Sequence, residues 1–292
     1  MNHFTIKDIE NLSGIKAHTL RIWEQRYRLF VPKRKESKHR YYDNEDLKHI
    51  LRISQLYHNG VKISKIARLS DDSIRSMAMG NMEEQQAVGT YVHKLIEAAI
   101  DFNEDAFEML LDKAFRQFGF ESTILDIVYV FLERVGLLWL TDHMIPAQEH
   151  FACNIVRRKI IAHIELLKVS PAPSPHTYVL FTLEGEYHEI PLLLTYYLMK
   201  ASGKRCIYMG VDLPFADLKA YVLHKKPSHL YFHAMTNLNE TSVDDTVAHI
   251  SQLFEEQQIV MAGPLTKKLT QQYKNVRVLL TLKEMLDFVK HL

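Results

Sequence analysis

The sequence predicts a multidomain chain: an all-α-rich winged helix-turn-helix, a four-helix bundle, and an α/β unit built on a flavodoxin-like five-stranded parallel sheet. Three observations predict it. Residues 1–70 hold 15 Lys and Arg against 7 Asp and Glu, whereas the rest holds 21 against 28, so a total charge of +1 conceals a basic head on an acidic body. Between 84 and 168 the apolar residues recur at three and four, the period of packed helices. Beyond Ser170-Pro171-Ala172-Pro173-Ser174-Pro175, short β-rich runs alternate with helical segments, the mark of a parallel α/β sheet.

The head is read over 1–70. Thr5 caps a helix whose apolar face includes Ile6, Ile9 and Leu12. Ser13-Gly14-Ile15 makes a tight turn into a second helix at 16–27, with Leu20 and Trp23 or Tyr27 facing inward. A basic loop carries Pro32, Lys33, Arg34, Lys38 and Arg40 into Tyr41-Tyr42. Asp43 caps a third helix reaching 59–60, and a short helix follows at 63–69. Residues 71–83 form a polar connector, 84–169 the four-helix bundle, 170–176 the Pro-rich linker, and 177–292 the α/β domain. Its strands are expected at 178–182, 206–209, 230–232, 259–262 and 276–279.

Hydrophobic residues make up 47% of the chain, as in ordinary proteins with real cores, but no run approaches ~18 apolar residues, so no membrane partner is expected. The first residues lack the apolar core of a signal peptide. Cys153 and Cys206 are too far apart in sequence to suggest a disulfide framework or a CxxC metal site. These features imply a cytoplasmic protein. No catalytic triad, phosphate-binding glycine loop or zinc-ligand spacing is evident, so a non-enzymatic role is expected.

A reading helix presents polar and cationic side chains to the major groove while its other face packs on the domain. Lys16, His18, Thr19, Arg21 and Arg26 offer that set, and Lys33, Arg34, Lys38, Arg40 and Tyr41 suit phosphate contact. Arg21 and Arg40 are the leading phosphate contacts; Trp23 reads as packing, and Tyr41 and Tyr42 divide between core and phosphate. The string Thr19-Leu20-Arg21-Ile22-Trp23-Glu24, then Pro32, then Arg40-Tyr41-Tyr42 resembles the helix and wing of MerR-type regulators. That resemblance implies double-stranded DNA as partner.

Two further motifs lie downstream. Glu184-Gly185-Glu186-Tyr187-His188-Glu189-Ile190-Pro191 directly follows the first expected strand, where Glu186 can orient the His188 ring for metal ligation. Trp139 is followed, after nine residues, by Glu149-His150, a spacing that can return all three to one end of the bundle. The order of head, bundle and sheet domain with these motifs is similar to the CarH/LitR type of MerR-family regulator, cobalamin-dependent photoreceptor repressors. The resemblance implies adenosylcobalamin as cofactor, His188 as the lower cobalt ligand, and Trp139, Glu149 and His150 over the upper face, with Glu186 and Gly263 also in the cofactor site. It implies a repressor, self-associating as a homodimer or higher oligomer, whose ligand controls assembly and operator binding.

Four departures from that type stand out. Pro191 replaces a glycine of the loop motif, Ala262-Gly263 replaces a Gly-Gly pair that lines the slot for the nucleotide tail, and the third-strand stretch 229–234 lacks the usual serine, with His233 expected to block part of that slot. Leu140 follows Trp139 where photoreceptor members carry the histidine that traps the light state. Two alternatives stay open: a MerR-type regulator whose degenerate pocket serves assembly without cobalamin, and a cobalamin-dependent methyltransferase module.

Overall fold

The computed structural model describes residues 4–34, 40–58, 60–78, 84–140, 145–170, 175–236 and 242–290. They divide into two compact units, Met1–Ile155 and Val156–Leu292. Lys38 and most of the Pro-rich linker lie outside the described residues. Among the described residues no helix is long and apolar enough to cross a membrane.

The first unit begins with α1 (Ile6–Ser13), whose start is closed by a reciprocal Thr5–Asp8 capping box and whose end by Gly14 in the left-handed region at φ 71°. Four residues later the chain is helical again in α2 (Ala17–Tyr27). Leu20 and Trp23 are buried, and Trp23 meets the Tyr57 ring edge-on at 4.9 Å. The strands β1 (Lys33–Arg34) and β2 (Arg40–Tyr41) pair antiparallel as the wing. Tyr42, left open by its sequence, belongs to the core at 1% exposure and bridges Phe4.

Asp43 caps α3 (Asn44–His58): its carboxylate accepts from the Asp46 backbone N–H at 3.0 Å. The next helix, α4, spans only Ile63–Ile66, shorter than the pattern predicts, because Ala67–Leu69 leave α-helical hydrogen bonding for tight turns. The expected polar connector contains a helix, α5 (Asp71–Ala78).

Four helical segments follow: α6 (Glu84–Ile100), α7 (Glu104–Phe118), a run from α8 (Phe120–Ser122) through a π-helical stretch (Thr123–Val128) into α9 (Tyr129–Leu140), and α10 (Pro146–Leu166). Phe107 and Phe131, both fully buried, meet edge-to-face at 5.4 Å in their core.

The head and α6 to α9 fall in the same unit and are tied together. Lys48 of α3, 8% exposed, pairs with Asp101 at 2.6 Å, Arg52 pairs with Glu97 at 3.2 Å, and Arg134 of α9 donates to the Leu12 carbonyl at 3.0 Å. Burial opposes the Lys48 charge, but hydrogen bonds to Asp101 and Glu45 outweigh it and raise the ammonium above its ordinary value. Asp101→Ala leaves that ammonium with only the exposed Glu45, and an expected cost of about 1–3 kcal/mol in the urea midpoint. Adding Lys48→Met should recover most of it.

The second unit contains β3 (Tyr178–Leu183), α11 (Glu189–Ala201), β4 (Cys206–Leu213), α12 (Phe215–Lys225), β5 (His229–His233), α13 (Val243–Leu253), β6 (Gln258–Ala262), β7 (Val276–Leu279) and α14 (Leu282–Lys290). All strand pairs are parallel, in the order β4-β3-β5-β6-β7, the flavodoxin-like arrangement. Val179, Phe181, Leu230, Phe232, Ile259 and Met261 form one buried face of the sheet. The strand β4 runs four residues beyond its expected end. Register shifts against β3, with Gly210 at φ 87° and Asp212 at φ 58°, carry the pairing through a bulge that the β-rich pattern does not signal.

Candidate functional site

The strand order reverses between β4 and β5 about β3, so the loop after β3 lies at the carboxyl edge of the switch point, where α/β sheets bind ligands. Its shape is fixed from below. Thr182 is fully buried and its hydroxyl donates to the Glu186 carbonyl at 2.6 Å, while accepting from the Asp212 N–H at 3.0 Å. The Gly185 N–H donates to the Asp212 carboxylate at 2.7 Å, with Gly185 at φ 83°. The β4 bulge therefore serves the loop by turning Asp212 onto it.

The Glu186 side chain is 5% exposed. One carboxylate oxygen accepts from the His188 backbone N–H at 3.0 Å and its ring Nδ1 at 2.6 Å. The other accepts from the N–H groups of Met235 and Thr236 at 2.9 and 2.7 Å and the Thr236 hydroxyl at 3.2 Å. Burial works against the charge, but the hydrogen bonds from His188 and the Thr236 backbone outweigh it and hold the carboxyl at about 2. With Nδ1–H committed to Glu186, the neutral His188 ring carries its lone pair on Nε2, and the side chain is 51% exposed. His188 caps α11, and Pro191 falls in that helix's first turn, where a missing N–H is tolerated.

Thr195, Tyr231 and His233 form a buried polar group beside α11 and β5. The Thr195 hydroxyl donates to the Pro191 carbonyl at 3.0 Å and lies 3.2 Å from His233 Nε2, which lies 3.1 Å from the Tyr231 hydroxyl. Among the described residues His233 Nδ1 has no hydrogen-bond partner. Burial lowers the His233 ring to about 4, and burial and His176 lower His229 to about 4. Both rings are held neutral when folded, so their contribution is complete above pH 6.5 and is lost as pH falls toward 4. Urea midpoints measured across that window should drop by about 1–3 kcal/mol, and His233→Asn should flatten the slope.

Gly263 follows β6 at φ 104°, and a Cβ there would lie 2.5 Å from the Ala234 carbonyl oxygen. This closeness of the chain to itself accounts for the glycine without any ligand.

In the first unit, Glu149 stands in the first turn of α10 and His150 directly follows it. Glu149 accepts from the Cys153 thiol at 3.1 Å, and His150 is 72% exposed with Nδ1 3.6 Å from Glu149. Trp139 and Leu140 close α9, and their side chains lie outside the description.

On α2, His18, Arg21, Gln25 and Arg26 are exposed along one face, opposite Leu20 and Trp23, and Thr19 is half-buried beside them. Lys16 pairs with Glu10 at 3.1 Å ahead of this helix. Lys33 is tied to Asp43 and Asp46, anchoring the wing to α3, and Arg40 lies 3.8 Å from Glu24 of α2. Arg34 and Tyr41 lie on the wing strands. The exposed face of α2 thus presents His18, Arg21 and Arg26, while Lys16, Lys33 and Arg40 lie beside carboxylates. Thr182, Asp212, Met235 and Thr236 carry no role in the sequence reading; their part in shaping the loop comes from contacts distant in sequence.

The family model described as MerR HTH family regulatory protein matches residues 4–73, and that described as B12 binding domain matches residues 91–163. The HTH-type transcriptional repressor CarH of Myxococcus xanthus is 23% identical over 255 residues, covering 85% of this chain and 84% of that protein. CarA, a repressor of the same organism, is 26% identical over 225 residues, covering 76% and 73%. The monomethylamine corrinoid protein of Methanosarcina barkeri superposes with a TM-score of 0.51 at 15% identity, over 68% of this chain and 97% of that one, a likeness of fold. The chain thus carries a MerR-type helix-turn-helix over residues 4–73 and a B12-binding-type helical region over 91–163, and is homologous to the CarH and CarA repressors.

Proposed function

We propose that the chain is a cytoplasmic transcriptional repressor that reads double-stranded DNA through α2 and the wing and responds to a corrinoid held by His188. It acts as a homodimer or higher oligomer, and corrinoid uptake changes that assembly and hence operator binding. Linkage requires the corrinoid to bind one assembly better than another. The observation that carries the sensing role is the 2.6 Å Glu186–His188 pair on the switch-point loop. It pre-sets the tautomer and orientation that an axial cobalt ligand needs. A bound corrinoid would supply the cobalt; this chain supplies the oriented imidazole. Trp139, Glu149 and His150 are assigned to the opposite face of the corrin by resemblance to the CarH type.

DNA binding is tested through salt. Arg21→Ala and Arg40→Ala should each weaken operator binding about ten-fold and reduce the log–log salt slope by about 1, measured by fluorescence anisotropy. Unchanged slopes would remove both residues from the phosphate contacts. Sensing is tested by retained corrin absorbance after gel filtration, with His188→Ala as control, and by the oligomeric state with and without corrinoid. Operator binding and assembly indifferent to corrinoid would favour the pocket as a pure assembly element.

A further inference from the structure

We infer that the α/β domain takes a corrinoid through His188 while leaving the nucleotide tail outside, and so favours corrinoids that lack a coordinating base. This rests on the corrinoid-sensing role proposed above and names the ligand class. The protein interior behind the His188 loop is full. Thr195, Tyr231, His233, Met285 and Phe288 are each less than a tenth exposed and occupy the space where α11 and α14 cover β5. They are mutually engaged: the Thr195 hydroxyl contacts the Tyr231 hydroxyl at 3.3 Å and His233 Nε2 at 3.2 Å, and the Tyr231 ring stacks on Phe288 at 6.2 Å. Between the ends of β5 and β6 the approach is closed too, because Gly263 packs against the Ala234 carbonyl too tightly to admit even a Cβ. A shallow recess at the ends of β3, β5 and β6 extends over the other face of the sheet, toward Val243 and Val247 of α13, with room for a few waters rather than a nucleotide.

The chemistry of the ligand then decides. A complete cobalamin carries its own base, able to occupy the lower cobalt position that His188 needs. His188 can take that position only by displacing the base. Among the described residues the interior beside α11 is filled, so the displaced tail would stay in water: the bond to His188 would replace the one to the base, and no burial of the tail would add to it. Cobinamide, which ends before the nucleotide, would offer Nε2 a position held only by an exchangeable water, which leaves as the imidazole binds. The packed interior therefore selects against the tail through competition for the metal, while the loop still presents an oriented imidazole.

The test titrates the full chain with diaquocobinamide and, separately, with hydroxocobalamin, following the corrin absorbance. The expected result is at least ten-fold tighter binding of cobinamide, with a spectral change that His188→Ala abolishes. His233→Ser, which clears space at the end of β5, should narrow the ratio by strengthening cobalamin binding. Equal or tighter binding of hydroxocobalamin by the unaltered chain overturns this inference and leaves corrinoid sensing standing. Binding of neither corrinoid overturns both. Cobinamide binding that survives His188→Ala overturns the assignment of His188 as ligand. The ratio for the unaltered chain decides the matter even where the His233 variant does not fold.

Discussion

Glu186→Gln is expected to lower the stability of the α/β unit by about 2–4 kcal/mol and to loosen the His188 ring. The buried carboxylate accepts from the His188 N–H and Nδ1, the Met235 and Thr236 N–H groups and the Thr236 hydroxyl. An amide keeps one acceptor oxygen and turns an NH2 toward the donors on the other side, so at least one backbone N–H loses its partner in a dry site. The pH dependence identifies the cause. Glu186 is held at about 2 against an ordinary 4.5, so its contribution is complete above pH 4.5 and is lost as pH falls toward 2. Urea midpoints at pH 7 and between pH 5 and 3.5 should show a steep loss in the native chain that the glutamine variant lacks. Nitrogen NMR of the imidazole should show the Nδ1–H tautomer giving way to a mixture. An unchanged acid slope would mean that the carboxylate does not couple the β3 and β5 loops.

Gly263→Ala is expected to cost about 3–5 kcal/mol or to prevent the unit from folding. At φ 104° and ψ 171° the backbone occupies a region essentially reserved for glycine. The added carbon would also meet the Ala234 carbonyl oxygen at 2.5 Å, and that oxygen already accepts the Leu265 N–H at 3.2 Å. Strain and collision therefore act together, with backbone on both sides and no flexible side chain to give way. Circular dichroism melting reports it directly. A variant that melts within a degree or two of the native chain would show that the β6 turn can reshape.

Features governed by neighbouring residues were legible before any coordinates. The Thr5 and Asp43 caps, the two faces of α2 and the β-rich runs of the sheet all depend on contacts a few residues apart. Glu186 and His188 stand two apart, so their pairing was readable as well. What the sequence concealed depends on distant partners. Lys48 meets Asp101 across 53 positions, and Glu186 meets Met235 and Thr236 across 49 and 50. No local pattern marks those encounters. Gly263 was visible as a glycine, but its reason, the Ala234 carbonyl, came only from the packing. His233 was suspected of obstructing a slot; its hydrogen bonds with Thr195 and Tyr231 make it part of a filled interior.

The pairing of Lys48 and Arg52 with the bundle, and of Arg134 of the bundle with Leu12, turns the head from a tethered reader into the end of a lever. A reader on a slack leash samples many orientations and gives them up each time it docks. Here that freedom is surrendered at folding, so α2 arrives at the groove already aimed by α6 and α9. Whatever tilts the bundle carries α2 with it, and in the assembly proposed above that tilt would set the spacing of the sequences read.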